Sequence, residues 1–340
     1  MLFRSAHRAG TSVSTVSRVL NQPDYKCKNP ELEARIWAAA QEISYTPNTA
    51  AQTLKSGAPQ IKTTPLTFDI FLTRFPSLSQ DLFFSELFES LKKELLRQQC
   101  VPGKFLTLPE VTSMLKEKSS FSVTDTHADG IILLGKCPAE LISTLQNHYH
   151  NIVGIDRNPT NFDYDEVICS GEAAAKMAVE RLITLGHKKI AYIGDCTYES
   201  RYVGYYQTLL THHIPFDYRH VHPSSQTEEE GARIMNDILK EEDPPTAIFC
   251  ANDCTALGVL RSLNKCRRKN YLPSVIAIDN IRKSAKTSPM LTTIDIPKQE
   301  LAHFALLLLL DQQKKAHKEC VRIELPCRLI ERESCTYAPC

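Results

Sequence analysis

The chain is short of everything that marks an enzyme, an exported protein or a membrane protein. Its 340 residues hold no G-x-S-x-G, no P-loop, and no G-x-G-x-x-G behind a candidate strand. Neither an activated serine nor a phosphate cradle is therefore expected, and no enzyme. The twelve cysteines are scattered without a C-x-x-C pair, and no histidine cluster has metal-ligand spacing. They are expected to be reduced, mostly buried thiols of a cytoplasmic protein with no metal and no cofactor. The close pairs Cys250/Cys254 and Cys335/Cys340 read as small hydrophobes. Met1 to Arg8 is charged and lacks the apolar segment of a secretory signal, so export is not expected. The run ALLLLLD at residues 305–311 is far too short to span a bilayer and predicts a buried helix.

An excess of one charge is also missing. The net charge is +1, too close to zero to indicate a nucleic-acid partner by itself. Its distribution is uneven, because residues 1–57 hold seven Lys and Arg against four Asp and Glu, which is +3 and leaves −2 for the rest. A basic head on a mildly acidic body fits a small DNA-binding unit joined to a larger one, and the length demands more than one core.

Within the head, Thr11 to Asn21, TSVSTVSRVLN, reads as the second helix of a helix-turn-helix. Gly10 supplies the turn, Ser12 is a good N-cap, and Val16, Val19 and Leu20 fall on one inward face. Val13, Ser14, Ser17 and Arg18 then face outward. An arginine one turn in can bind guanine bidentately in the major groove, and the hydroxyls of Ser12, Thr15 and Ser17 suit phosphate oxygens. Asn21 closes the motif and is counted with these candidate DNA contacts. An ordinary amphipathic surface helix would show the same pattern. Leu2, Phe3 and Ala6 give a minimal apolar face to a first helix. Asn29-Pro30 starts a third, with Leu32, Ile36, Ala40 and Ile43 inward and Trp37 one position off, where packing is favoured over base contact. Residues 48–56 form a short helical candidate that would not be stable alone.

From Leu66 onward, LTFDIFL, GIILLG, NIVGID, KIAYIG, TAIFC and VIAID are near-continuously apolar, as parallel strands buried on both faces should be. Helical periodicity falls between them at 81–99, 139–147, 173–185, 229–240 and 255–264, so a βαβ alternation with parallel sheets is expected. Between Cys100 and Ala128 the strand signal is weak. Ligands in such folds sit at the carboxyl ends of strands. Asp156, Asn252, Asp253 and Asp279 occupy such ends, and Arg201 starts the helix after KIAYIG. Carboxylates and a guanidinium bind vicinal hydroxyls, which suits a sugar ring. Asp253 is expected to cap its helix instead, Arg201 could form an ion pair between lobes, and Phe83, Phe84 and Tyr202 are candidate aromatic walls or core.

The motifs AGTSVSTVSRVLN and ISYTPNTAAQTLKSG, followed by ADGIILLG, LGHKKIAYIG, ANDCTALGVL and SPMLTTIDIP, resemble the lactose-repressor/galactose-repressor family of bacterial transcription factors over nearly the whole chain. The resemblance implies a small all-α helix-turn-helix headpiece (1–47), a hinge helix (48–57), a linker (58–65) and a two-lobed α/β domain (66–340). That last domain is like the periplasmic sugar-binding proteins, with Rossmann-like parallel sheets. The first lobe is expected at 66–157 and the second at 158–288, with a return near 292–314. The resemblance also implies that Leu54 wedges into the minor groove beside contacts from Asn48 and Ala51, and that Asp156, Arg201, Asn252 and Asp279 bind a sugar effector. Family chains usually carry more residues before the first helix, with an apolar residue in place of Ser5 and an acidic one in place of Arg4, so that helix is expected to be short. The partners implied are a pseudo-palindromic operator, a small effector that is a sugar or glycoside, and a second copy of the chain in a homodimer, with a tetramer left open and no membrane. Two rivals stay open: a sugar sensor that does not bind DNA because of its short first helix, and a purine- or nucleoside-responsive regulator of the same fold.

Overall fold

The computed structural model of the chain describes residues 6, 9–21, 29, 31–33, 35–36, 39, 65–73, 77–116, 128–156, 158–197, 199–266 and 271–339. Asn48, Ala51, Leu54 and Trp37 lie outside the described residues. Two compact units are present, Met1–Thr64 and Pro65–Cys340.

In the smaller unit, Gly10 takes a left-handed φ of 63° that a side chain would strain. The Thr11 N–H then reaches back to the Ala6 carbonyl at 3.0 Å and closes the preceding helical turn. Ser12 restarts the chain as a cap, its Oγ accepting from the Thr15 N–H at 3.1 Å, and α1 runs Val13–Asn21. Ala6, Ala9, Val16, Val19, Ile36 and Ala39 form the core, with Val13 and Leu32 packed at its edge. Val13 is therefore only partly outward. Ala39 is buried beside Ile36, and Ala40 of the expected stripe lies outside the described residues. Asn29 caps its helix as read, its side chain accepting from the Glu31 and Leu32 N–H groups.

The larger unit holds two six-stranded sheets. In chain order the elements are β1 Thr67–Leu72, α2 Leu82–Arg97, β2 Val101–Thr107, α3 Leu108–Lys116, β3 Gly130–Leu134, α4 Ala139–His148, β4 Ile152–Asp156 and β5 Asp165–Ile168. There follow α5 Gly171–Thr184, β6 Ile190–Gly194, α6 Ser200–Thr211, β7 Val221–Pro223, α7 Glu228–Ile238, β8 Ala247–Cys250, α8 Asp253–Lys265 and β9 Ser274–Asp279. Last come β10 Thr292–Asp295, α9 Lys298–Gln313, β11 Arg322–Glu324 and β12 Arg328–Ile330. The first sheet has the order β11-β5-β4-β3-β1-β2 and the second β12-β10-β9-β8-β6-β7. All neighbours run parallel except β12, which is antiparallel to β10.

The first lobe boundary departs from expectation. β5 stays in the first sheet, so the chain first crosses at 169–170 rather than at 157; it returns at 296–297, within the expected 292–314, and crosses again at 325–327. β5 hides polar side chains that hydropathy counts against it. Asp165 is buried yet accepts from the Val321 N–H, Gln312 Nε2 and His317 Nε2, and Glu166 accepts from Arg322 and the Thr160 N–H. β2 is a full strand where the sequence signal is weak. It is the outer strand, its first four residues are exposed, and Pro102 is tolerated at such an edge. The leucine run lies in α9, with Leu306 and Leu309 buried and Leu307 turned partly outward.

Candidate functional site

Each unit presents a surface suited to a ligand. On the headpiece, the Ser12 Oγ lies 2.8 Å from Ser14 Oγ and 2.9 Å from Thr15 Oγ1, a hydroxyl cluster at the first turn of α1. Ser14 and Arg18 are exposed one helical turn apart, and Thr15 and Ser17 are half-buried. Backbone N–H groups, hydroxyls and a guanidinium thus share one helix face, a combination that suits phosphate oxygens and base edges. Asn21 ends α1, and nothing beyond its backbone is described.

In the larger unit, a cavity of about 560 Å³ opens where the strands of the first lobe end, and residues after β6 of the second lobe close its far side. Asp156 at the end of β4 borders it, with Asp163 beyond; Lys136 and Phe84 stand on the same side and Asp195, Thr197 and Glu199 opposite. Phe84 is the aromatic of the three candidates that reaches the cavity wall. Tyr202 packs on Tyr192 instead, with ring centroids 5.4 Å apart. The Ser200 N–H donates to Asn158 Oδ1 at 2.9 Å and the Arg282 N–H to Glu86 Oε1 at 2.7 Å, so the lobes touch on either side.

Arg201, Asn252 and Asp279 lie together inside the second lobe rather than on the cavity surface, each no more than 3% exposed. Arg201 donates through Nε and Nη2 to the two oxygens of Glu199 at 2.7 and 2.8 Å, through Nη1 to the Ala251 carbonyl at 2.7 Å, and to Gln226 Oε1 at 3.1 Å. Burial alone would lower its pKa, but the Glu199 charge outweighs that and holds the guanidinium firmly protonated. Its partner is the N-cap of the same helix, two residues away, so it is not an ion pair between lobes. Asn252 donates to the Gln226 carbonyl and accepts from the Thr255 N–H and hydroxyl, making it the N-cap of α8. Asp253, expected as that cap, is instead a buried acceptor for the Ile281 N–H, Ser284 Oγ and Thr293 Oγ1. Burial first, and then the Asp279 charge, push its pKa up to about 7. Asp279 carries a φ of 129°, and its carbonyl accepts from Lys298 Nζ at 2.6 Å.

Glu199 and Gln226 are the residues that inspection of the sequence misses. Glu199 both lines the cavity and neutralises Arg201. Its signal was its place as an acidic N-cap two residues before the arginine: its side chain accepts from the Arg201 N–H. Gln226 sits in a loop with a left-handed φ of 65° and leaves no local signature.

A helix-turn-helix headpiece followed by two parallel-sheet lobes around a cleft defines a ligand-responsive regulator class. Residues 6–48 match the family model of bacterial regulatory proteins, lacI family, and residues 179–335 match that of the periplasmic binding protein-like domain. The headpiece thus carries a lacI-type regulatory match and the larger unit a periplasmic-binding-protein-like one. It is 29% identical over 344 residues to the HTH-type transcriptional repressor PurR of Klebsiella pneumoniae, covering 98% of this chain and 96% of that protein. The PurR of Photorhabdus laumondii is 28% identical over 345 residues, with the same coverage. Among solved structures, a transcriptional regulator CelR–cellobiose complex superposes with a TM-score of 0.70 at 22% identity over 98% of this chain and 99% of that one. The lac repressor dimer bound to operator and the anti-inducer ONPF does so with 0.64 at 23% identity, over 98% of each chain. These relatives are regulators, not enzymes. Among the described residues no helix is long and apolar enough to cross a membrane.

Proposed function

We propose that the chain is a cytoplasmic, sequence-specific transcriptional repressor that binds a two-fold operator as a homodimer and responds to a sugar or glycoside held between its lobes. The observation that carries the effector reading is the cavity rim, where Asp156, Asp163 and Asp195 stand with Lys136, while Glu199 is already paired with Arg201. Carboxylates accept from hydroxyl groups and repel phosphates, so a neutral polyol fits and a sugar phosphate does not. Residues 1–47 serve as the headpiece, 48–57 as the hinge, 58–65 as the linker and 66–340 as the effector domain. Val13, Ser14 and Arg18 read base edges, Ser12, Thr15, Ser17 and Asn21 hold the backbone, and Asn48, Ala51 and Leu54 engage the minor groove. Ligand and operator are linked because a change in lobe angle alters the spacing of the two hinges.

A purine effector is the second reading, favoured by the likeness to PurR over nearly the full chain. The test is selection of genomic fragments at physiological salt, with and without neutral sugars or purines. Retention of one palindrome, altered by sugars alone, supports the first reading. Alteration by purines alone supports the second, and no enrichment overturns DNA binding. In the same assay Arg18→Ala lowers affinity by about 1–3 kcal/mol and relaxes preference at one base pair.

A further inference from the structure

Two of the three crossings between the lobes carry a cysteine. Cys169 follows β5 and precedes α5, and Cys327 lies between β11 and β12. The strands leading to them are neighbours, with Glu324 paired to Ile168, and the Leu325 N–H donates to the Ile168 carbonyl at 2.8 Å just ahead of the two thiols. The thiols themselves are in hydrogen-bond contact. Cys169 is buried, while Cys327 is half-buried. Asp295, the last residue before the remaining crossing, pairs with Arg328, the residue after Cys327. All three crossings therefore converge on this pair.

We propose that Cys169 and Cys327 form a reversible disulfide when the protein meets hydrogen peroxide, and that the bond fixes the angle between the lobes. The Cys327 thiolate attacks one peroxide oxygen, breaking the O–O bond to give a sulfenic acid and hydroxide, which takes up a proton to become water. The Cys169 sulfur then displaces the sulfenic oxygen as a second water and gives up its proton, so two thiols are oxidised as one peroxide is reduced to two waters. A dithiol reverses the bond by exchange. Nucleophile and resolving group are told apart by their surroundings. Contact with the Cys169 thiol holds Cys327 below the ordinary thiol value despite burial, whereas burial pushes Cys137 and Cys254 up to about 12 and Cys196 up to about 11. Thiolate character and access together select Cys327. Once tied, residues 325–327 no longer slide past residue 169, and rotation of one lobe on the other requires that movement.

The test treats the full, reduced chain with one equivalent of hydrogen peroxide, blocks the remaining thiols with N-ethylmaleimide, and maps the digest by mass spectrometry. The expected product is a peptide pair joined through Cys169 and Cys327, lost on adding dithiothreitol. The backbone amides of Leu325 and Cys327 should exchange at least tenfold more slowly in the oxidised chain. In Cys169→Ser, Cys327 should stop at a sulfenic acid trapped by dimedone, and in Cys327→Ser, Cys169 should stay unreactive. Oxidation of the exposed Cys320 with both crossing thiols intact overturns the proposal. So does progress of Cys327 to sulfinic acid beside an unoxidised Cys169, or a joined pair with unchanged exchange.

Discussion

In the first lobe the strand-end carboxylate, Asp156, stands half-buried on the cavity. In the second, Asn252, Asp253 and Asp279 occupy the ends of β8 and β9 and are enclosed with Arg201 in a network of short hydrogen bonds. The two sheets share a strand order, so topology does not account for the contrast. The difference lies in local partners. Glu199, Gln226 and Ser284 reach the second lobe's strand ends from their own loops, whereas the cavity fills the space above the first lobe's. A ligand entering the cleft meets the first lobe at Asp156 and the second at Asp195, Thr197 and Glu199, of which Glu199 belongs to both cavity and network. A ligand that drew Glu199 away would leave Arg201 buried with its charge uncompensated. That coupling lets a small molecule load the second lobe without touching most of its polar groups.

The sharpest way to break this contrast is Glu199→Ala. Removing one partner of a buried, bidentate ion pair leaves the other stranded, and the expected loss is about 3–5 kcal/mol of unfolding free energy. Urea denaturation measures it, and Glu199→Gln, which keeps an acceptor, should recover part of the loss. A loss below about 1 kcal/mol would mean that water reaches Arg201 and that the second lobe is as open as the first.

Asp253 tests the same enclosure by pH. Its native pKa of about 7 lies above the unfolded value near 4. Between these limits the native state binds the extra proton, so stability is fully present below about pH 4 and falls as pH rises through 7, by on the order of 2–4 kcal/mol. Asp253→Asn should flatten that slope. An amide oxygen in place of Oδ2 still accepts from the Ile281 N–H and Ser284, and the amide nitrogen can donate to Thr293 Oγ1, so the fold should persist. An unchanged slope in the variant would remove Asp253 as its source.

The sequence disclosed the six most apolar strands because parallel strands covered on both faces need aliphatic residues throughout. It did not disclose β5 or β11, since Asp165 and Glu166 are made tolerable inside a sheet by Gln312, His317 and Arg322, 147 to 156 residues further on. For the candidate site, Asp156, Arg201, Asn252 and Asp279 were legible as strand-end or helix-start polar residues. Which of them face a ligand was not, because that depends on Glu199 and on the Gln226 loop, whose reach is fixed only in the folded lobe. The headpiece was easier to read: Gly10, Ser12 and Asn29 act within three to five residues of themselves.

The first lobe has its own buried carboxylate, Asp165, and the group beside it that responds to pH is a histidine. His317 donates to Asp311 and to Asp165, and contact with Asp311 first, then Asp165, raises its pKa against the effect of burial. The sign is that of a raised histidine: the contribution is complete below about pH 6.5, the unfolded value, and fades as pH rises through the higher native value. His317→Asn should cost about 1 kcal/mol at pH 6 and less at pH 9, because Gln312 and the Val321 N–H still satisfy Asp165. Denaturation at the two pH values measures it. A cost as large as that of Glu199→Ala would make the first lobe's polar centre as indispensable as the second's.

Asp156→Asn is expected to have the smallest effect on the fold and the most selective effect on function. A half-buried strand-end carboxylate replaced by its isosteric amide should leave unfolding free energy within about 0.5 kcal/mol. The amide keeps one acceptor oxygen but loses the charge that strengthens a bidentate grip on two hydroxyls, so the rise in melting temperature produced by whichever sugar stabilises the wild-type chain should disappear. If the variant instead melts as early as Glu199→Ala, Asp156 holds the lobe together and the open and closed strand ends are not different in kind. If it melts normally and still responds to the sugar, the ligand is gripped from the Asp195 and Glu199 side, and the lobe that looks closed is the one that reads the effector.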